Sequence, residues 1–243
     1  MGYKFRNRLN IVNLTEKFKA GKAELEKEFQ EVLDSQKHHS LCILEHAKKS
    51  GDRAILHDKV YGSWQETSWN QLAEQMHAVA AALLDSGIKE EDRVGIFSNN
   101  RAEWHIADLG SMLIRAIDVP VYPTNSTKEA EYIVNHSGLK LLFVAGQEQF
   151  DKAYPLLDKC SGLEKVVVFH RGTNIPKDPR VIMWDDFLEM GRQSASREKI
   201  EDIKKRCHYD GVCTIVYTSG TTGEPKGVVL THKNFMHNGW SIG

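Results

Sequence analysis

The chain has 243 residues, 41% of them hydrophobic and 27% charged, with a formal net charge of −1. That length allows a sizeable buried core, and the near-neutral balance gives no electrostatic reason to expect nucleic acid as a partner. Cys42, Cys160, Cys207 and Cys213 show no zinc spacing and fit a reduced compartment, and the histidines form no metal cluster by spacing.

Residues 1–10 carry Lys4, Arg6 and Arg8 with no apolar run behind them, so they do not read as a secretory signal. Arg6 occupies the position where N-myristoylation wants serine or threonine. Tyr3 and Phe5 beside these bases leave peripheral membrane contact open, although a plain terminal segment is the commoner outcome. The apolar stretch 79–84 is too short to cross a bilayer, and the cytoplasm is the expected location.

Leu14, Phe18, Leu25, Phe29, Val32 and Leu33 recur at roughly helical spacing among lysines and glutamates, which predicts helix over 14–49 with an interruption at Gly21. The pattern changes after Gly51, which divides the chain into a helical segment, 1–50, and an α/β domain, 51–243. Short apolar runs at 54–56, 94–97, 117–122, 141–144 and 166–169 read as strands. Residues 69–85, 102–114, 129–136 and 148–157 between them read as helices. Two prolines mark 172–179 as a surface loop, and helices over 184–193 and 197–206 lead to strands at 212–217 and 228–230. Such alternation predicts an α/β fold, a mainly parallel, doubly wound sheet with flanking helices. Cys213, inside a strand pattern, is expected as a small core residue rather than a nucleophile.

Between the last two strands lies Thr218-Ser219-Gly220-Thr221-Thr222-Gly223-Glu224-Pro225-Lys226-Gly227, which concentrates hydroxyls, glycines and a lysine in one short loop. Glycine lets backbone amides approach an anion without a Cβ in the way, hydroxyls follow phosphate oxygens, and Lys226 adds a full positive charge. Lys226 is followed by Gly227, so the Walker ending of Lys-Ser/Thr leading into a helix is absent. The loop follows the C-terminal end of its strand, where ligands of open α/β sheets bind.

Tyr217 to Asn234, reading YTSGTTGEPKGVVLTHKN, resembles the signature loop of the adenylate-forming acyl-CoA synthetases; every specified loop position matches and Glu224 falls at a free one. Arg93-Val94-Gly95-Ile96-Phe97, then Asn99-Asn100-Arg101-Ala102-Glu103-Trp104 with Asp108, then Val119-Pro120-Val121-Tyr122-Pro123-Thr124-Asn125, are similar to amino-terminal blocks of the long-chain fatty acid–CoA ligase branch. Thr67-Ser68-Trp69-Asn70-Gln71-Leu72 resembles the helix placed before them, and Arg115 departs from the small residue that many relatives carry there.

The resemblance implies that 51–243 is an incomplete part of the large amino-terminal domain of such an enzyme, ending just after the phosphate loop. It implies ATP, Mg2+ and CoA, with a fatty acid activated to an acyl adenylate, pyrophosphate released, and AMP then displaced by CoA. Thr218, Ser219, Gly220, Thr221, Thr222 and Gly223 would contact the ATP phosphates through hydroxyls and amides, and Lys226 through its ammonium. No catalytic residue or metal ligand is expected in this stretch, because the family's adenine, Mg2+, acyl and CoA contacts and its late catalytic lysine fall past Gly243. Turnover by these residues alone is therefore not expected. Thr231 is expected to cap the next helix, with His232 and Asn234 structural. The alternatives are a ligase for an aryl, short-chain or amino acid, and a non-catalytic nucleotide-binding or scaffold module; a homodimer is open on each.

Overall fold

A computed structural model describes residues 21–24, 26, 27, 31, 38–60, 62–219 and 224–242. Tyr3, Lys4, Phe5, Arg6 and Arg8 lie outside the described residues, as do Leu14, Phe18, Leu25, Phe29, Val32 and Leu33 of the expected first helix. Helix α1 (His39–Ser50) starts afresh after His38, whose φ of −67° and ψ of 140° are extended. The expected helix over 14–49 is thus broken at His38, while Gly21, the expected interruption, is itself helical. His38 is drawn into the core instead, 2% exposed and packed against His232 with ring centroids 3.4 Å apart and the planes tilted by 41°.

Strands β1 (Ala54–Val60) and β2 (Ser63–Ser68) form an antiparallel two-stranded sheet of their own. β2 carries no apolar alternation, because most of its side chains face solvent, and for that reason it is silent in the sequence. Ser68 ends β2 and caps α2 (Trp69–Asp85): its Oγ accepts from Gln71 N at 3.2 Å, and Gln71 Oε1 accepts from Ser68 N at 2.8 Å. Ala78 to Leu83 of α2 are buried on every side, since the helix lies among its neighbours rather than at the surface. At its crossing with α7 (Trp184–Gln193) the backbones nearly touch, and a Cβ on Gly191 would stand 1.8 Å from the Ala78 carbonyl oxygen.

The main sheet has seven strands in the order β7-β6-β5-β3-β4-β8-β9. These are β3 (Arg93–Phe97), β4 (Ile117–Val121), β5 (Leu139–Val144), β6 (Lys165–Val168), β7 (Val181–Met183), β8 (Val212–Thr218) and β9 (Lys226–Thr231). All neighbouring pairs are parallel except β8 and β9. Short β7 was not legible as a strand, because three residues carry too little pattern.

Side chains alternate between two apolar faces, so the strands read as continuous hydrophobic runs. Leu141, Phe143, Val167 and Cys213 join one core with α2, α3 (Ala102–Leu113), α7 and α8 (Arg197–Lys204). Leu142, Val144, Val166, Val168 and Tyr217 join the other, with α4 (Thr127–Ser137), α5 (Gln147–Ala153) and α6 (Leu156–Lys159). A single helix expected over 148–157 is two, because Pro155 has no N–H to carry the ladder across. The connection from β3 to β4 through α3 and the return to β5 through α4 run in opposite directions, which puts α3 and α4 on opposite faces. The strands' C-terminal ends are thereby left as a shared ligand edge.

Candidate phosphate-binding site

β8 and β9 pair as an antiparallel hairpin with Tyr217 opposite Gly227 and Thr218 opposite Lys226. Because β8 is parallel to β4, the turn opens on the ligand edge. Thr218, Ser219 and Lys226 are all exposed there, so the structure brings together the ends of the sequence-predicted loop. Described lysine ion pairs such as Lys152–Glu148 and Lys204–Glu201 do not include Lys226. Gly220, Thr221, Thr222 and Gly223 lie outside the described residues.

The stem beneath the turn is buried and directional. Tyr217 is 4% exposed, and burial raises its phenol above the ordinary value. Its ring lies across Gly227, where a Cβ would meet Tyr217 Cζ at 3.3 Å and Ile215 Cγ2 at 2.8 Å. Glycine at 227 is therefore dictated by packing against Ile215 first and the Tyr217 ring second. Two residues of α4 that sequence reasoning missed reach this stem: Tyr132 donates its hydroxyl to Pro225 O at 3.0 Å, and His136 Nδ1 is 2.7 Å from the Tyr217 hydroxyl. They stand 93 and 81 positions from their partners, and their only signal was an i,i+4 spacing on a helix.

After β9, Thr231 caps α9 (His232–Ile242) as expected: Thr231 Oγ1 accepts from Asn234 N at 3.3 Å, and Asn234 Oδ1 accepts from Thr231 N at 3.0 Å. His232 is 1% exposed, and burial lowers its pKa to about 2, so the ring is neutral and internal. Cys213 is fully buried and its thiol is pushed up to about 12, first by burial and then by Asp108 and Asp118, which leaves no thiolate for nucleophilic work. Asp108 of α3 and Asp118 of β4 are themselves buried, each with one oxygen lacking a hydrogen-bond partner.

A cavity of about 570 Å³ opens beside the hairpin, at the ends of β3, β4 and β8, walled by Asn99, Asn100, Trp104, Tyr122 and Val216. Tyr122 is 60% exposed at its mouth. Another cavity of about 570 Å³, between the β1–β2 hairpin, α3 and α7, shares no wall with the loop. Its cations are already committed, Arg101 to Glu103 and Arg171 to Asp185.

A long-chain-fatty-acid–CoA ligase of Xenopus laevis, ACSBG2, is 31% identical over 190 residues, covering 78% of this chain and 25% of that protein. Long chain acyl-CoA synthetase 1 of Arabidopsis thaliana is 34% identical over 195 residues, covering 75% and 28%. The chain thus spans about a quarter of the length of these relatives. In fold it matches the anthranilate CoA ligase AuaEII, solved with anthranoyl-AMP, with a TM-score of 0.67 at 24% identity over 82% of this chain and 35% of that one. The family described as AMP-binding enzyme matches residues 43–243, from α1 through the whole sheet and the hairpin, and the chain belongs to it.

Proposed function

We propose that the chain supplies the triphosphate-binding hairpin of an ATP-dependent, AMP-forming long-chain fatty acid–CoA ligase. The observation that carries this reading is the meeting of Thr218, Ser219 and Lys226 at the mouth of one hairpin on the ligand edge, with Lys226 outside the described ion pairs. Gly220, Thr221, Thr222 and Gly223 join them as phosphate contacts by the same reading.

Attack of a carboxylate on the α-phosphorus of ATP brings two anions together and leaves charge on pyrophosphate, so donors aimed at the phosphates lower the barrier. Lys226 offers three N–H donors and a full charge, and the threonine and serine hydroxyls reorient as charge moves. This donor set fits a polyphosphate. Mg2+ would arrive on the phosphates, with oxygens of ATP and water as its ligands; among the described residues no cluster of three or more His, Cys, Asp or Glu is placed to hold it. The neighbouring cavity at the ends of β3, β4 and β8 gives the second substrate room. A fatty acid is favoured over an aryl acid by the names of the Xenopus and Arabidopsis relatives, since the likeness to the anthranilate ligase concerns the fold alone. CoA is the acceptor thiol in this scheme.

Thermal melting of the chain with millimolar MgATP or magnesium tripolyphosphate tests the proposal. A ligand at one hundred times its Kd stabilises by about 2.7 kcal/mol; with the family's adenosine contacts outside these residues a weaker rise in melting temperature is expected from both, while AMP, lacking the β- and γ-phosphates, leaves it unchanged. Identical melting with and without either polyphosphate would contradict the proposal.

A further inference from the structure

We infer that Tyr132 and His136 of α4 are positioning residues that hold the two arms of the phosphate hairpin at their working separation, a role that rests on the phosphate reading above. They sit one helical turn apart and reach different arms. Tyr132 bonds Pro225 O on the β9 side at 3.0 Å, and His136 bonds the Tyr217 hydroxyl on the β8 side at 2.7 Å. The Tyr132 and His136 rings are stacked with centroids 5.3 Å apart, and each meets Tyr217 edge to face.

The outer arm of the hairpin has little else to hold it. β9 is the outer strand of the sheet and is bonded to β8 alone. Val228 and Val229 on it are 44% and 55% exposed. β8 in turn meets β4 at one register position, Asp118 opposite Thr214, well back from the turn. Past the two α4 bonds, Ser219 and Glu224 share with Lys128 and Tyr132 the wall of a cavity of about 780 Å³.

α4, by contrast, is firmly seated. A capping box of Ser126 and Glu129 starts it, left-handed Gly138 ends it, and Ala130, Ile133 and Val134 are buried in the core beneath β3 and β5. It acts as a bracket between the rigid sheet and the exposed hairpin. Neither Tyr132 nor His136 is assigned a phosphate contact; they act through Ser219 and Lys226, whose spacing decides whether one anion meets donors from both arms.

Two variants separate positioning from mere stability. Tyr132→Phe keeps the ring and removes only the bond to Pro225, and His136→Leu removes the bond to Tyr217. Each is expected to weaken MgATP binding by about tenfold, the worth of one hydrogen bond. Hydrogen exchange in a peptide spanning 217–227 should speed up by about the same factor, with β3 and β5 unchanged. His136→Gln, which restores a polar partner, should recover most of the affinity. Should His136→Leu fail to fold, Tyr217→Phe removes the same bond from the other side. A lower melting temperature with unaltered affinity and unaltered hairpin exchange would overturn the role alone. A wild-type chain that binds no polyphosphate would overturn the phosphate reading and this role with it.

Discussion

At the C-terminal ends of its strands the sheet presents Thr218, Ser219 and Lys226 to solvent, with Lys226 outside the described ion pairs. At the N-terminal ends of β4 and β8 the charges are already paired with one another. Arg115 bonds Glu90 at 2.6 Å, lies 3.6 Å from Glu91 and approaches His208 Nε2 at 3.4 Å, and Glu90 also pairs with Arg206. Behind them His38 and His232 are packed together and buried. Both ends are polar and both line cavities, about 570 Å³ at the first and about 240 Å³ at the second. A cation that already carries carboxylates fastens the fold, whereas one without them keeps its charge for an incoming anion.

Arg115 also accounts for its own departure from the family pattern. Its φ of 59° lies in the left-handed region, where a small residue such as glycine is at ease. Here an arginine occupies that strained position, held by its carboxylate partners.

Exchanging the two cations is the strongest way to break the comparison. Lys226→Ala is expected to weaken MgATP binding by about ten- to a hundredfold, the value of a charged hydrogen bond, with the melting temperature unchanged. Isothermal titration beside a melting curve checks both halves. Arg115→Ala should do the reverse: it removes a half-buried ion-pair network and lowers stability by about 1–2 kcal/mol while ATP affinity stays within about twofold. Arg115→Gly should recover part of that loss, because glycine accepts the left-handed backbone. If Arg115→Ala impaired ATP binding as much as Lys226→Ala, the distinction between the two ends would fail.

A pH scan of the melting temperature sharpens the comparison further. Burial lowers the pKa of His38, His39 and His232 from 6.5 to about 3, about 4 and about 2. Below pH 6.5 the unfolded chain takes up protons there that the fold refuses, so stability falls as pH drops from about 6.5 toward 4. Asp108 and Asp118 act in the opposite sense: burial raises Asp108 to about 7 and Asp118 above its ordinary 3.8. The fold keeps those protons after the unfolded chain has released them, so the Asp108 contribution falls as pH rises from about 4 through about 7, and that of Asp118 falls as pH rises above its ordinary 3.8. Burial lowers His77 and His105 as well, so five histidines oppose two aspartates in the shared window, which places the expected maximum near pH 6.5. Asp108→Asn should reduce the fall above that maximum and steepen the one below it. The smallest expected effect is at Glu224, exposed beside the loop. Glu224→Gln removes a like charge facing the phosphates and should tighten ATP binding by less than about threefold, an effect that shrinks with added salt.

What could be read from residues alone divides along similar physical lines. Strands β3, β4, β5 and β6 and helix α2 announce themselves because their apolar side chains are packed on the core and recur at the period of the element. The place of Thr218, Ser219 and Lys226 between two strands was legible because a glycine-rich, hydroxyl-rich stretch interrupts two apolar runs. β2 and β7 were not, the first because its side chains face solvent and the second because it is three residues long. The break at His38 and the clasp formed by Tyr132 and His136 depend on partners far along the chain, His232 in one case and Pro225 and Tyr217 in the other. No local period encodes such meetings.

The most direct test of the central claim is an amide chemical-shift titration of the chain with magnesium tripolyphosphate. The account predicts that the largest shifts fall on Thr218, Ser219, Lys226 and Gly227, at the mouth of the hairpin, and that Lys226→Ala abolishes them. Shifts confined to the Arg101–Arg171 cavity or to the Arg115 cluster, with the hairpin silent, would contradict it.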